Sequence, residues 1–365
     1  MTKQNFIDGA WVSGVGETEN INPSDLSDVV DVYAQADAGQ AGDAIAAARS
    51  ALPGWRAATP QARADALDFV GTELLARKEE LGRLLSREEG KILAEGIGEV
   101  TRAGQVFKFY AQEALRVAGE FVPSIRAGVT ADVRYEPVGV VGLITPWNFP
   151  VAIPAWKAAP ALAYGNTVVL KPAELTPAMA WVLTEILSRS GIPNGVFNLV
   201  MGPGRVVGNT LCVSEDVNAL SFTGSVATGQ TVRETVAARA GKIQEEMGGK
   251  SPLIVLDDAD IENAVGCAIG GSVISTGQRC TSNTRIIATP GIHDQLLEAM
   301  VRRTEALRAG HALDEASDLG PVVDARQLKV NENYLQIARD EGAEIMCGGQ
   351  RVERDTEGFF MSPAV

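Results

Sequence analysis

Val138-Gly139-Val140-Val141-Gly142-Leu143-Ile144-Thr145-Pro146-Trp147-Asn148-Phe149-Pro150 is a short β-rich run that breaks at Thr145 into a segment braced by two prolines. Three more such runs follow: Thr167-Val168-Val169-Leu170, Val196-Phe197-Asn198-Leu199-Val200 and Ala219-Leu220-Ser221-Phe222. Segments of helical composition, such as residues 177–191 and 226–240, separate them. Strands alternating with helices predict βαβ units and a mostly parallel sheet. Ligands of such sheets bind beyond the carboxyl ends of the strands. Thr145-Pro146-Trp147-Asn148, Lys171-Pro172-Ala173-Glu174 and Thr223-Gly224-Ser225 each follow directly on one of these runs.

Upstream, residues 41–116 are rich in Ala, Leu, Glu and Arg, and Leu67, Val70, Leu74, Leu75, Leu81, Leu84 and Leu85 recur at helical spacing, which predicts a helical layer. Residues 119–135 turn to Val, Ile, Thr and Arg with several glycines, as expected of a hairpin or extended arm. A second α/β unit begins near Pro252, with a strand at 253–256, a helix over 261–276 and a strand at 284–288.

At 365 residues the chain divides into two or three domains. The balance of 32 basic against 46 acidic residues, −14 overall, argues against nucleic acid or anionic lipid as the main partner. The most apolar region, 138–164, holds Pro146, Pro150, Pro154, Pro160 and Lys157, so it does not read as a spanning helix. Cys212, Cys267, Cys280 and Cys347 match neither a zinc site nor a disulfide framework, so no metal is expected. A reducing, cytoplasmic setting is the simplest reading.

Two segments carry the chemistry. Cys280 sits in Ser275-Thr276-Gly277-Gln278-Arg279-Cys280-Thr281-Ser282, and Glu246 in Glu246-Met247-Gly248-Gly249-Lys250. A thiol on a Gly-bearing loop and an acid beside paired glycines point to a nucleophile and a general base. Each setting calls for close backbone approach. Arg279 beside the thiol favours the thiolate. Alone, Cys280 reads more often as a small buried hydrophobe than as a nucleophile, and Glu246 more often as a surface acid. Asn148, held between two prolines, is either a preorganised oxyanion donor or an Asx-turn residue. Trp147, Phe149 and Trp156 read as packing residues, and a substrate tunnel wall is packing too. Lys171 and Glu174 are ribose ligands or a solvated strand end. Ser225 is an N-cap that can also donate to a phosphate, beside Gly224 in a tight turn. Gly202-Pro203-Gly204 with Gly208 is one residue too wide for a dinucleotide fingerprint.

Together, and in this order, these segments resemble the aldehyde dehydrogenase superfamily over essentially the whole chain, with a texture closest to bacterial semialdehyde dehydrogenases. The resemblance implies an α/β fold: a Rossmann-type parallel-sheet NAD(P)-binding domain (residues 1–118 and 139–248) and an oligomerisation arm (119–138). A second α/β catalytic domain (249–365) follows, its C-terminal part absent. It implies that Cys280 attacks an aldehyde, that Asn148 and the Cys280 N–H hold the oxyanion, and that Glu246 activates water to release the acid. It carries Ile144, Thr145, Trp147, Lys171, Glu174, Gly204, Phe222, Gly224, Ser225 and Gly248 over to the cofactor. NAD is favoured over NADP because Glu174 would repel a 2′-phosphate. Arg102, Phe149 and Trp156 carry over to the substrate tunnel, where Arg102 either pairs with a distal carboxylate or is a solvated helix residue. The partners implied are a small-molecule aldehyde and further copies of the chain, as a dimer or tetramer. The reading requires sulfur 280, carboxyl 246 and amide 148 to meet at one cavity. Two alternatives stand beside it: a thiol hydrolase using His293 or His311, and a catalytically impaired remnant serving as a binding or subunit-interaction module.

Overall fold

The computed structural model describes residues 2–365. The chain opens with β1 (Asn5–Ile7), β2 (Ala10–Val12) and the paired strands β3 (Gly16–Ile21) and β4 (Val29–Gln35), followed by helices α1 (Ala38–Ala57), α2 (Pro60–Ala76), α3 (Lys78–Glu89) and α4 (Leu93–Leu115). The hairpin β5 (Glu120–Pro123) and β6 (Thr130–Val133) leads to β7 (Val140–Ile144), α5 (Ala152–Ala163), β8 (Thr167–Lys171), α6 (Ala178–Ser188) and β9 (Phe197–Leu199). A π-helical turn (Gly204–Gly208) runs into α7 (Asn209–Val213), then come β10 (Ala219–Gly224), α8 (Val226–Ala238) and β11 (Lys242–Met247). The remainder is β12 (Ser251–Val255), α9 (Ile261–Ser272), β13 (Asn283–Ala288), α10 (His293–Glu305) and α11 (Ala325–Asp340).

Two compact units result, the first made, among the described residues, of 2–18, 32–78 and 99–246, the second of 19–31, 79–98 and 247–365. Residues 19–31 and 79–98 thus group with 247–365, whereas the sequence expectation kept 1–118 together, and hydrogen bonding explains why. In the second unit Leu26 donates its N–H to the Glu357 carbonyl (2.8 Å), Phe359 to the Pro23 carbonyl (3.0 Å) and Thr356 its hydroxyl to the Ser24 carbonyl (2.6 Å). Arg87 makes a two-pronged pair with Asp28 (3.0 and 2.7 Å), which holds the Asp28 carboxyl below its usual range. A Cβ on Gly320 would lie 1.7 Å from the Gly90 carbonyl oxygen, a backbone approach that no other residue permits.

The first unit is built on a seven-stranded sheet ordered β11-β10-β7-β8-β9-β1-β2, in which β10, β7, β8 and β9 are parallel and β1 runs antiparallel to β9. Strand β8 and all of β7 except Ile144 are buried, as parallel strands covered on both faces must be. Helix formation upstream is signalled locally. Asp37 caps α1 by accepting the Gln40 N–H at 2.9 Å, and Thr59 caps α2 with Pro60 at its first position. Of the apolar stripe, Leu67, Val70, Leu74, Leu81 and Leu85 are buried. In the second unit α9 and α10 cover the parallel pair β12–β13 through Val255, Ala268, Ile292, Leu296 and Met300. Every residue of strands β5 and β6 is exposed. Among the described residues no helix is long and apolar enough to cross a membrane.

Candidate functional site

In the first unit the ends of three strands lie level. Ile144 pairs with Lys171 on β8 and with Phe222 on β10, so the segments after β7, β8 and β10 leave the sheet along one edge. Strand order reverses between β7 and β10, the position where open α/β sheets place a ligand crevice. Thr145 donates its N–H to the Lys171 carbonyl at 3.1 Å. The hydroxyls of Thr145 and Thr223 are buried and find no hydrogen-bond partner among the described residues. Orphaned buried hydroxyls are costly unless a ligand or water answers them.

Lys171 is 5% exposed, and its burial lowers the ammonium pKa against the opposing pull of Glu174, whose Oε1 lies 3.9 Å from Nζ. The same Oε1 accepts the Gly204 N–H at 3.0 Å, tying the turn after β8 to the π-helical turn. A Cβ on Gly204 would sit 3.7 Å from the Lys171 ammonium. Gly224 is required for a different reason from the tight turn expected: its φ is not left-handed, but a Cβ there would meet the buried Phe222 ring at 2.5 Å. Ser225 caps α8, accepting the Thr228 N–H at 3.3 Å and donating to the Thr228 hydroxyl at 2.9 Å.

Asn148 is half-buried in the loop before α5, with Trp147 and Phe149 half-buried on either side. No side chain of that segment caps α5. Instead Glu99, buried on α4, accepts the N–H groups of Val151 and Ala152 at 3.0 and 3.1 Å through its Oε1. The helix following Asn148 is thus pinned by a carboxylate from another element, a residue that sequence reasoning missed.

Glu246 projects from the exposed face of β11 with Gln244, whose Nε2 lies 3.5 Å from the Glu246 Oε1. Lys157 was also missed. Its Nζ, on α5, donates to Ser221 Oγ (2.6 Å) and Gln244 Oε1 (3.1 Å), and Ser221 bonds Gln244 in turn. Burial lowers the Lys157 pKa to about 8, with Glu246 acting in the opposite direction. The crowding expected at the paired glycines is absent. A Cβ on Gly248 would meet nothing within 4 Å, and one on Gly249 would make ordinary contact with the Cys280 carbonyl at 3.8 Å. Neither glycine takes a left-handed φ, so the chain's own packing does not demand them.

In the second unit Cys280 is exposed on the loop between α9 and β13. The approach to it is strained: Ser275 and Thr276, neither a glycine, take φ of 53° and 55°. Such residues cost on the order of 1–3 kcal/mol each. Arg279 does not sit idle beside the thiol, for its Nη2 donates to the carbonyls of Gly270 and Gly271 at 2.8 and 2.7 Å, at the end of α9. The buried thiols differ in character: Cys212 is pushed up to about 11 and Cys347 upward as well, chiefly by burial. His293 pairs with Asp294 at 2.8 Å and His311 accepts the Leu313 N–H at 3.1 Å, so each ring serves its own turn. A cavity of about 820 Å³ in this unit is lined by residues such as Ile269, Ile286, Leu296, Met300, Tyr334 and Met361, and by His293, Thr276 and Gly277, but not by Cys280. Of the tunnel residues, Arg102 is exposed on α4 and Trp156 is 39% exposed on α5.

Comparison with known proteins gives a consistent picture. The model of the "Aldehyde dehydrogenase family" matches residues 11–365. An alpha-ketoglutaric semialdehyde dehydrogenase of Bacillus subtilis is 40% identical over 368 residues, an alignment covering 100% of this chain and 75% of the relative. A succinate-semialdehyde dehydrogenase [NADP(+)] of Escherichia coli is 36% identical, with 100% of this chain and 75% of the relative covered. The crystal structure of betaine aldehyde dehydrogenase from Staphylococcus aureus in complex with NAD+ superposes with a TM-score of 0.97 at 33% identity, covering 99% of this chain and 73% of that one.

Proposed function

The chain belongs to the aldehyde dehydrogenase family, and from that premise we propose that it oxidises an aldehyde to the carboxylic acid with NAD. The residues at the level strand ends suit a dinucleotide: a buried ammonium at Lys171, a carboxylate at Glu174, two orphaned threonine hydroxyls and the capped start of α8. That cluster is the observation that carries the proposal. Lys171 and Glu174 hold the adenosine ribose, Gly204 and Ser225 lie along the adenosine and pyrophosphate, and Ile144, Thr145, Trp147, Phe222, Gly224 and Gly248 complete the cradle. The bound dinucleotide supplies the hydride acceptor. Glu174 repels a 2′-phosphate, which favours NAD, with NADP the second choice.

The Cys280 thiolate attacks the carbonyl carbon. The Asn148 amide and the Cys280 backbone N–H donate to the oxygen as it gains charge, and preorganised donors of this kind are worth roughly 3–4 kcal/mol of barrier. Once hydride has left, a thioester remains on the sulfur. Glu246 takes a proton from water, which attacks the thioester and releases the acid and the thiol.

Two relatives act, by name, on semialdehydes, and the substrate proposed here is likewise an aldehyde with a distal carboxylate, met by Arg102 while Phe149 and Trp156 line its path. The test is aldehyde-dependent reduction of NAD by this chain. Wild type forms NADH, Cys280→Ala forms none, and Arg102→Met loses the preference for acidic over neutral aldehydes. Cofactor binding without turnover would instead make the chain a binding or subunit-interaction module. An unchanged preference in Arg102→Met would remove the clamp.

A further inference from the structure

The run Ser275-Thr276-Gly277, which ends three residues before Cys280, is left-handed throughout, with φ of 53°, 55° and 68°. Gly277 adopts this without penalty, but Ser275 resists it and β-branched Thr276 resists it more. Strained backbone persists only where its surroundings over-determine it, and here they do. Thr276 donates its hydroxyl to the carbonyls of Gly320 and Pro321 at 3.2 and 3.3 Å. Ser282 donates to the Gly277 carbonyl at 2.9 Å, and Val323 donates its N–H to Gln278 Oε1 at 3.0 Å. The first residue of the turn is held by a carboxylate: buried Ser275 donates its N–H to Glu95 Oε1 at 2.8 Å. Glu95 comes from the first turn of α4, 180 residues away in the chain, and reaches no other residue of the turn. Burial raises its pKa, against the Ser275 N–H and the cations of Lys91 and Arg279, so the carboxylate is set in a mostly buried niche between charges of opposite sign.

We propose that Glu95 is a positioning residue whose carboxylate holds the left-handed turn that presents the Cys280 thiol, so that the thiol's reactivity depends on a group that touches no substrate. The proposal rests on the reading of Cys280 as the nucleophile. The clamp acts through an accepted N–H, so an amide oxygen at the same reach replaces it, whereas a side chain one methylene shorter does not. Glycine at position 275 removes that residue's share of the strain, the share the Glu95 clamp offsets, while Thr276 stays held by its own hydroxyl.

Two measurements on the full chain test this without cofactor or aldehyde. One is the rate of Cys280 acylation by 4-nitrophenyl acetate, assigned by peptide mass, with exposed Cys267 in the same molecule as control. The other is hydrogen–deuterium exchange of the peptide spanning residues 273–283. Glu95→Ala and Glu95→Asp are expected to slow Cys280 acylation tenfold or more, leave Cys267 unchanged and speed exchange in the loop peptide. Glu95→Gln stays within threefold of wild type in both, and adding Ser275→Gly to Glu95→Ala restores most of the rate. Glu95→Asp keeps the readout available should the alanine variant not fold. Wild-type acylation and exchange in Glu95→Asp would overturn the proposal, as would failure of Glu95→Gln to preserve them. If wild-type Cys280 is acylated no faster than Cys267, the nucleophile reading fails instead, and the exchange data alone then decide whether the clamp exists.

Discussion

At Lys157 burial and hydrogen bonding act against each other. The ammonium is 7% exposed and donates to Ser221 and Gln244, yet its pKa has fallen from 10.5 to about 8. Below about pH 8 the lysine is protonated in the folded and unfolded chain alike, and the full penalty of a buried charge is present. Between about 8 and 10.5 the unfolded chain binds more protons than the folded one, so stability at this site rises with pH across that window. Lys157→Met lacks this component. The stability of wild type relative to the variant is therefore expected to increase by roughly 3 kcal/mol from neutral pH to above 10.5, read from denaturant midpoints of the two proteins. A difference that stays flat with pH would show that the lysine is not held as described. None of this is legible from sequence: Lys157 sits in a Pro- and Ala-rich helix, and its partners lie 64 and 87 residues further along. Glu95 and Glu99 escape notice for the same reason, because one turn of helix carries both and only tertiary contacts separate them from ordinary surface acids.

At the scale of elements, what reads well from sequence is what is continuous and buried. Strands β7, β8 and β10 are short β-rich, mostly apolar runs bounded by Gly, Pro or Asn, and their ends fall within two residues of expectation. Strands β1 and β2 are three residues each and owe their identity to pairing, which no local pattern announces. Helix α9 reads as running to 276 but stops at Ser272, because the left-handed turn diverts the chain before Gly277. The β5–β6 hairpin reads correctly as a hairpin, and its exposed Phe121, Val122, Ile125 and Val129 give it a consequence. An apolar surface of this kind on a two-stranded ribbon needs a partner, and the arm is proposed to lie against another copy of the chain. Replacing Phe121, Val122 and Ile125 with Ser is expected to shift the sedimenting species to monomer while the far-ultraviolet dichroism stays unchanged. An unaltered assembly would assign the contact elsewhere.

Over the whole molecule, the two units differ in how openly the sequence declares them. The first follows from strand and helix alternation, and its switch point falls where the motif residues gather. The second borrows residues 19–31 and 79–98 from the N-terminal third, a division carried by isolated hydrogen bonds that composition does not register. The candidate residues are legible as residue types in order, whereas the supports beneath them, Glu95, Glu99 and Lys157, are not. The claim on which the account turns is that acyl transfer passes through the Cys280 sulfur and is completed by Glu246. It is tested most directly in Glu246→Gln, mixed with NAD and a semialdehyde, quenched in acid and mapped by peptide mass. The account predicts one acyl group on the peptide bearing Cys280, dependent on NAD and absent from Cys212, Cys267 and Cys347. An acyl group on another cysteine, or none at all while wild type reduces NAD, would contradict it.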